Sequence, residues 1–383
     1  MAHLLFVDFQ NNYSLARLPA LFREYGISCS ILAPENRILS QCGTAVNSIK
    51  VPEDKLPQTL GDLGTLLSFA VNRTGADYLL TNDENLLKNI LSTRDLLRSK
   101  KEALSDNLLT LLSVLERSFL SEKTHYSRPT LLEHARKSGF HVPDYKSINS
   151  WQEVQAIQSA CPYPAYFKLS FEAGGNGVIF ASNEEDLSNG ITSLIDLAIP
   201  PTEEHPMIMQ EPASGQELTI NFAAWEGKLL GYDVLYPLQK FAERGPSTVL
   251  RTLYRPDWMD PISALVKELG FSGLGGLDVF EQEESTIPSV IEVNLRPTHG
   301  LQASEELASP LLQLFSGQLK GCVSAPEQPE HAKRDRTVAL FPDEYLRDRH
   351  SPHLTQNPVN IPWKDPKLFK GLLAHFNFFP DGG

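Results

Sequence analysis

Residues 278–296 read D-V-F-E-Q-E-E-S-T-I-P-S-V-I-E-V-N-L-R, and their spacing groups side chains that could hold a cation. Side chains on a strand alternate between faces, so Glu292, Asn294 and Arg296 are expected on one face and Ile291, Val293 and Leu295 on the other. On the strand before, Asp278 lies between Leu277 and Val279 and is expected to point away from them. Two carboxylates and an amide oxygen form a donor set that hard Mg²⁺ prefers, with waters and phosphate oxygens completing the octahedron. Asp278, Glu292 and Asn294 are therefore metal-ligand candidates, and a magnesium nucleotide is the implied ligand. The plain alternative is a surface hairpin with solvated acids. The turn between the strands already carries dispensable acids, Glu281, Glu283 and Glu284, so the alternating polar trio still needs a reason.

Two further segments carry chemistry. Lys168 sits in A-Y-F-K-L-S, followed at once by E-A-G-G-N-G-V with Gly174, Gly175 and Gly177. A lysine before a flexible glycine loop can contact phosphate while the loop amides close over the other phosphoryl oxygens. The alternative is a hairpin whose turn needs glycine for positive φ, with an exposed lysine beside it. No G-x-x-x-x-G-K-[ST] stretch occurs, which argues against a P-loop fold. In M-I-M-Q-E-P-A-S-G-Q-E-L-T-I (207–220) a strand breaks after Gln210 at Glu211–Pro212 and turns through Ser214–Gly215. It resumes by Glu217. Such a hinge offers main-chain groups to an adenine edge, and Glu217 could accept from ribose hydroxyls. Many hairpins look the same.

The elements needed to position these groups fall into three stretches. Strands at 4–8, 29–33 and 78–83 alternate with helical runs at 15–25, 59–72 and 84–98, which predicts a doubly wound parallel α/β unit. Ligands of such sheets bind beyond the carboxyl ends of the strands, so loops Phe9–Asn12 and Asn82–Glu84 are candidate substrate edges. No G-x-G-x-x-G follows the first strand, so no dinucleotide site is expected there. Leucines at helical spacing predict a packed helix over 103–120. An α+β section follows, in which Asp260 suits an N-cap and Pro261 the first helical position. The polar, proline-bearing S-A-P-E-Q-P-E-H-A-K-R-D reads as a linker before a tail with one strand (T-V-A-L-F) and a helix capped by Asp365.

The chain has 383 residues, 41% hydrophobic and 21% charged, which suits two or three globular units. A formal charge of −13 argues against a general nucleic-acid binder, which needs basic stripes. It does not exclude ATP. No apolar run approaches bilayer length and no secretion signal is visible, so no membrane association is expected. Cys29, Cys42, Cys161 and Cys322 form no metal-type pair and are read as reduced thiols of a cytoplasmic protein.

In order along the chain come Lys123 in S-E-K-T-H-Y-S, Lys168 before its glycine loop, the Q-E-P-A-S-G-Q-E hinge, Asp278, and E-V-N-L-R. The ordered set resembles the ATP-grasp superfamily of ligases over residues from about 119 to 318. The resemblance implies an N-terminal Rossmann-like unit (1–118), then a two-subdomain ATP-grasp fold (119–208 and 209–322); the strand and helix of 323–383 read as an extension packed on the body. It implies that Lys123 and Lys168 meet ATP phosphates, with Gly174, Gly175 and Gly177 closing over them. Gln210 would meet the adenine amino group, beside Glu211 and Ala213 in the hinge, and Glu217 the ribose. Asp278, Glu292 and Asn294 would hold two Mg²⁺ (or Mn²⁺) ions. Lys168 and Arg296 are the expected catalytic cations. The activity implied is ATP-dependent joining of a small carboxylate to an amine, or to a thiol, through an acylphosphate. A bicarbonate-activating enzyme and a non-catalytic nucleotide-binding scaffold are the rivals. A homodimer stays open.

Two features depart from the pattern. Dipeptide-forming members often carry arginine two residues before the first metal acid, where this chain has Gly276. Arg296 could supply that charge, since arginine suits a bidentate grip on carboxylate or phosphate, or it could pair with a neighbouring acid. The tail beyond 323 lies outside the shared core. His299 is near enough in sequence to reach substrate, and equally suited to bonding its own loop.

Overall fold

The computed structural model describes residues 2–120, 126–170, 177–195, 200–242, 245–321, 329–331 and 335–378. The N-terminal unit runs β1 (His3–Val7), α1 (Tyr13–Glu24), β2 (Ser28–Pro34), β3 (Asn47–Val51), α2 (Leu60–Thr74), β4 (Tyr78–Leu80), α3 (Glu84–Ser99) and α4 (Asp106–Arg117). Its four strands pair in parallel in the order β3-β2-β1-β4. The central strand β1 is a run of apolar residues because helices cover both faces of the sheet. Strand order reverses between β1 and β4, so the crevice at their carboxyl ends is the switch point where such sheets bind ligands. β3 was not legible in the sequence. Asn47, Ser48 and Lys50 of this edge strand are exposed or partly so, and it shows little apolar pattern.

The middle section holds α5 (Arg128–Lys137), β5 (Tyr145–Ile148), α6 (Trp151–Ile157), β6 (Ala165–Lys168), β7 (Val178–Ala181), α7 (Glu184–Ile195) and β8 (Met207–Gln210). Its strands form an antiparallel sheet, β5-β8-β6-β7, over a small core around Val154, Phe167, Leu187 and Met207. Then come β9 (Gln216–Trp225), β10 (Lys228–Lys240), β11 (Ser247–Leu253), α8 (Met259–Leu269), β12 (Gly273–Glu281), β13 (Ser289–Asn294), α9 (Leu311–Leu319), β14 (Glu330–His331) and β15 (Thr337–Ala339). These strands make one sheet in the order β13-β12-β9-β10-β11-β15, with β14 beside β10. The chain ends in α10 (Asp343–Arg347), α11 (His353–Gln356) and α12 (Pro366–His375).

Two local expectations are corrected. Helix α8 begins at Met259 rather than Pro261, because a 3₁₀ turn at Pro256–Trp258 feeds straight into it. Asp260 therefore lies in the first turn, where its charge suits the helix dipole. Strict alternation also fails on β13. The register jumps from Asp278↔Glu292 to Val279↔Val290, so Ile291 is an extra residue in a bulge. Val290, Val293 and Leu295 join the core, and Ile291 does not.

The tail is tied in by specific bonds. β15 extends the large sheet at β11. Asp365 caps α12 through Leu368 N, and it also accepts from Gly43 N, Thr44 N and the Thr44 hydroxyl. Leu368 and Leu372 are buried beside α1 residues Leu15 and Leu18. Among the described residues no helix is long and apolar enough to cross a membrane, and Cys29, Cys42 and Cys161 are free thiols.

Candidate functional site

The register explains how the acids meet. Asp278 on β12 lies directly opposite Glu292 on β13 and, on its other side, opposite Thr219 on β9. Directly opposed residues have Cβ atoms about 5 Å apart, and like charges there repel. Asp278 Oδ1 accepts from the Thr219 hydroxyl (3.2 Å) and Oδ2 from Asn294 Nδ2 (3.2 Å). Burial pushes Asp278 up to about 7, and Glu292 and Glu217 add to the rise. Burial would raise Glu292 too, but Arg128, Lys168 and Arg296 outweigh it and hold Glu292 below its ordinary value.

A cluster of cations answers the acids. Arg128 Nη1 lies 2.9 Å from Glu292 Oε1, with only 6% of the Arg128 side chain exposed. Arg128 Nε donates to Leu169 O (3.1 Å). Lys168 Nζ donates to Gln210 Oε1 (2.7 Å) and to Ile291 O (3.4 Å). It thereby links the small sheet to the strand that carries Glu292. Burial, reinforced by Arg128, lowers Lys168 to about 8. Arg296, just past β13, donates to Glu84 Oε2 (3.4 Å) in the N-terminal unit, and Tyr126 donates to Glu84 Oε1 (3.2 Å). Burial raises Glu84 even though Arg296 and Arg128 oppose the rise.

The other expected residues are placed as follows. Gln210 is buried with its side chain turned toward Lys168, while Glu211 beyond it is exposed and Ala213 half-buried. Glu217, at the start of β9, is exposed and pairs with Lys240. Gly177 O accepts from Leu169 N (2.9 Å). Gly215 has φ +112°, and a Cβ there would overlap Glu281 O, so the hinge turn demands glycine. Gly276 leaves no room for a side chain, since a Cβ would meet the Thr298 methyl and lie 2.8 Å from Ile220 O. Lys123, Gly174 and Gly175 lie outside the described residues.

Arg128, Tyr126 and Thr219 belong to the cluster but were not singled out by sequence, and Glu84 was marked only as the end of the candidate substrate edge Asn82–Glu84. Arg128 had one usable signal. A cation in the first turn of α5 opposes the helix dipole and so calls for an acidic partner. Glu84 in the first turn of α3 was marked by its place at the strand's carboxyl end, but nothing local pointed to Arg296 as its partner.

Whether magnesium and a nucleotide fit can be tested on atoms left without partners. Among the described residues Asn294 Oδ1 and Gln210 Nε2 are buried and make no hydrogen bond. An orphaned oxygen beside two opposed carboxylates suits a hard cation, and an orphaned amide beside Lys168 suits a polar ligand. No group of three His, Cys, Asp or Glu side chains converges among the described residues, so a metal here would depend on Asn294 and on ligand oxygens.

No protein-family model matches the sequence, and no curated protein matches it. Solved structures do match in shape. Carboxyaminoimidazole ribonucleotide synthase from Aspergillus clavatus, complexed with ATP, superposes with TM-score 0.60 at 14% identity, over 88% of this chain and 81% of that one. The biotin carboxylase domain of Hydrogenobacter thermophilus 2-oxoglutarate carboxylase, in complex with MgADP, ADP and bicarbonate, gives 0.59 at 14%, over 86% and 71%. The L-amino acid ligase of Bacillus licheniformis gives 0.57 at 12%, over 86% and 78%. At such identity these likenesses establish the fold, which is the expected ATP-grasp architecture.

Proposed function

We propose that the protein is an ATP-dependent ligase that joins a small carboxylate to an amine through an acylphosphate, releasing ADP and phosphate. The observation that carries this reading is the facing pair Asp278 and Glu292, with the unpartnered Asn294 oxygen beside it and Lys168, Arg128 and Arg296 around it. The shared fold supports it. Two carboxylates held opposite one another are costly unless a cation settles between them. Asp278, Glu292 and Asn294 would hold Mg²⁺, which when bound supplies positive charge to the phosphoryl oxygens. Lys168 would neutralise phosphate from the small sheet, which lies opposite the metal strand. Lys123 and the loop with Gly174, Gly175 and Gly177 would close on the same group, and the hinge at Gln210, Glu211 and Ala213, with Glu217, would take adenine and ribose. Arg296 would bind the carboxylate that attacks the γ-phosphorus. The protein's contribution is positioning and preorganised charge.

The test follows the oxygen. If a carboxylate oxygen attacks the γ-phosphorus, it leaves with phosphate when the amine displaces it. A pool of the common L-amino acids with ¹⁸O in their carboxylates should deliver one labelled oxygen to each phosphate released, with ADP as co-product. AMP and pyrophosphate would overturn the mechanism.

A further inference from the structure

The chain after the metal strand returns twice to the carboxyl edge of the N-terminal sheet. Arg296 reaches Glu84, just beyond β4. His299 packs edge-on against Tyr13, beyond β1, with ring centroids 5.8 Å apart. Strands β1 and β4 are neighbours, so the two contacts bracket the switch-point crevice. Between the two residues, Thr298 sets its methyl against Gly276, which is paired with Asn294, and its hydroxyl donates to Asn221. His299 thus lies one residue from a side chain packed on the metal strands.

A third segment completes this end of the crevice. Asp343, at the start of α10 in the C-terminal extension, accepts a hydrogen bond from Tyr13 through Oδ1. Its Oδ2 is 3.5 Å from His299 Nε2. Gln302 Nε2 stands 3.2 Å from Nδ1 and 3.1 Å from Nε2 of the same ring. Two acceptors beside this ring, Gln302 Oε1 and Asp343 Oδ2, are buried and make no hydrogen bond among the described residues. Their residues are only 3 and 5% exposed. Buried polar atoms are rarely left unpaired. The two free acceptors flank the imidazole, and a ligand that carries N–H groups would satisfy them.

We propose that this is the amine half-site, with His299 as its general base and Asp343 and Tyr13 as positioning residues that orient the imidazole. The inference rests on the ligase reading above. A substrate ammonium gives one proton to His299 and becomes a nucleophile. Its nitrogen bonds to the acyl carbon of the acylphosphate. The C–O bond to phosphate breaks with its electron pair on the phosphate oxygen, and the second proton lost by nitrogen goes to that phosphate. Asp343 stabilises the imidazolium that results. The C-terminal extension is then part of the active site, because it supplies the carboxylate that faces His299 among the described residues.

Hydroxylamine separates the two halves of the reaction. It is neutral near pH 7 and captures acylphosphates as hydroxamates without a base. The full chain is supplied with ATP, magnesium and a pool of the common L-amino acids, acetate, succinate and bicarbonate. Hydroxamate is measured with hydroxylamine present, and phosphate release without it. In His299→Gln the ratio of amine-dependent to hydroxylamine-dependent turnover should fall at least ~100-fold, the usual scale of general-base catalysis. Asp343→Asn and Tyr13→Phe should lower the same ratio by smaller factors, and added imidazole should restore it in His299→Ala. An unchanged ratio in His299→Gln, or an equal loss of both activities, overturns the assignment. A wild-type protein that forms neither product overturns the ligase reading and this inference with it.

Discussion

Neutralising either of the two facing acids should stop turnover, yet the two changes should move stability in opposite directions. In Glu292→Gln the amide keeps the shape but leaves Arg128 without its charge partner at 2.9 Å, and Arg128 is almost wholly buried. Removing one partner of a buried pair costs about 3–5 kcal/mol. The Glu292 side chain is 23% exposed and Glu84 also faces Arg128, so a loss of about 2–3 kcal/mol is expected. Asp278 is different. Its carboxyl is pushed up to about 7 by burial and then by Glu292 and Glu217, so above that pH its charge works against the fold. Three pKa units set a ceiling of about 4 kcal/mol, and partial exposure reduces the usable part to about 1–2 kcal/mol. In Asp278→Asn the new amide can still accept from Thr219, and Asn294 can turn its unpartnered oxygen toward the new N–H. Thermal unfolding in EDTA near pH 8 should therefore show Glu292→Gln melting lower by about 2–4 °C and Asp278→Asn unchanged or higher. ADP release should fall at least ~1000-fold in both. Equal destabilisation of the two variants, or a Glu292→Gln protein as stable as wild type, would refute the charge argument.

Lys168 is lowered to about 8 by burial and Arg128, and phosphate would favour its charged form. ATP binding should therefore take up a proton above that value, so affinity should weaken toward tenfold per pH unit from about pH 8 upward and stay flat below about 7. Calorimetry across that range checks it, and a flat profile removes Lys168 from the phosphate site. Gly215→Ala combines a positive φ with overlap on Glu281 O and should cost at least ~2 kcal/mol in denaturant unfolding; a neutral result would mean the hinge turn can be rebuilt. Asp365→Ala removes the cap of α12 together with the bonds to Gly43 and Thr44. It should cost about 2–3 kcal/mol and speed proteolysis within 366–378, and unchanged cleavage would show that the tail docks through Leu368 and Leu372 alone.

The candidate segments and their order could be picked out without coordinates because each is local. A lysine at a strand end, a hinge broken by proline and glycine, and acids alternating with Ile, Val and Leu depend on neighbours within a few residues. The parallel unit was legible for the same reason, since β1 and β2 are buried runs bounded by turns, as was the cap at Asp365. What the sequence could not show depends on which strand lies beside which. The bulge at Ile291 arises from pairing with β12 and shifts the buried positions of β13 by one. β3 lies at a sheet edge, where one side of the strand needs no apolar pattern. Arg128, Glu84 and Arg296 come from three segments up to 212 residues apart. Only packing brings them together, and their pairing is set by the exclusion of water that makes an unpaired charge costly. The same holds for Tyr13, His299 and Asp343. A residue's type and its near neighbours determine what it can do, but its partner is fixed by long-range contacts that leave no periodic trace in the chain.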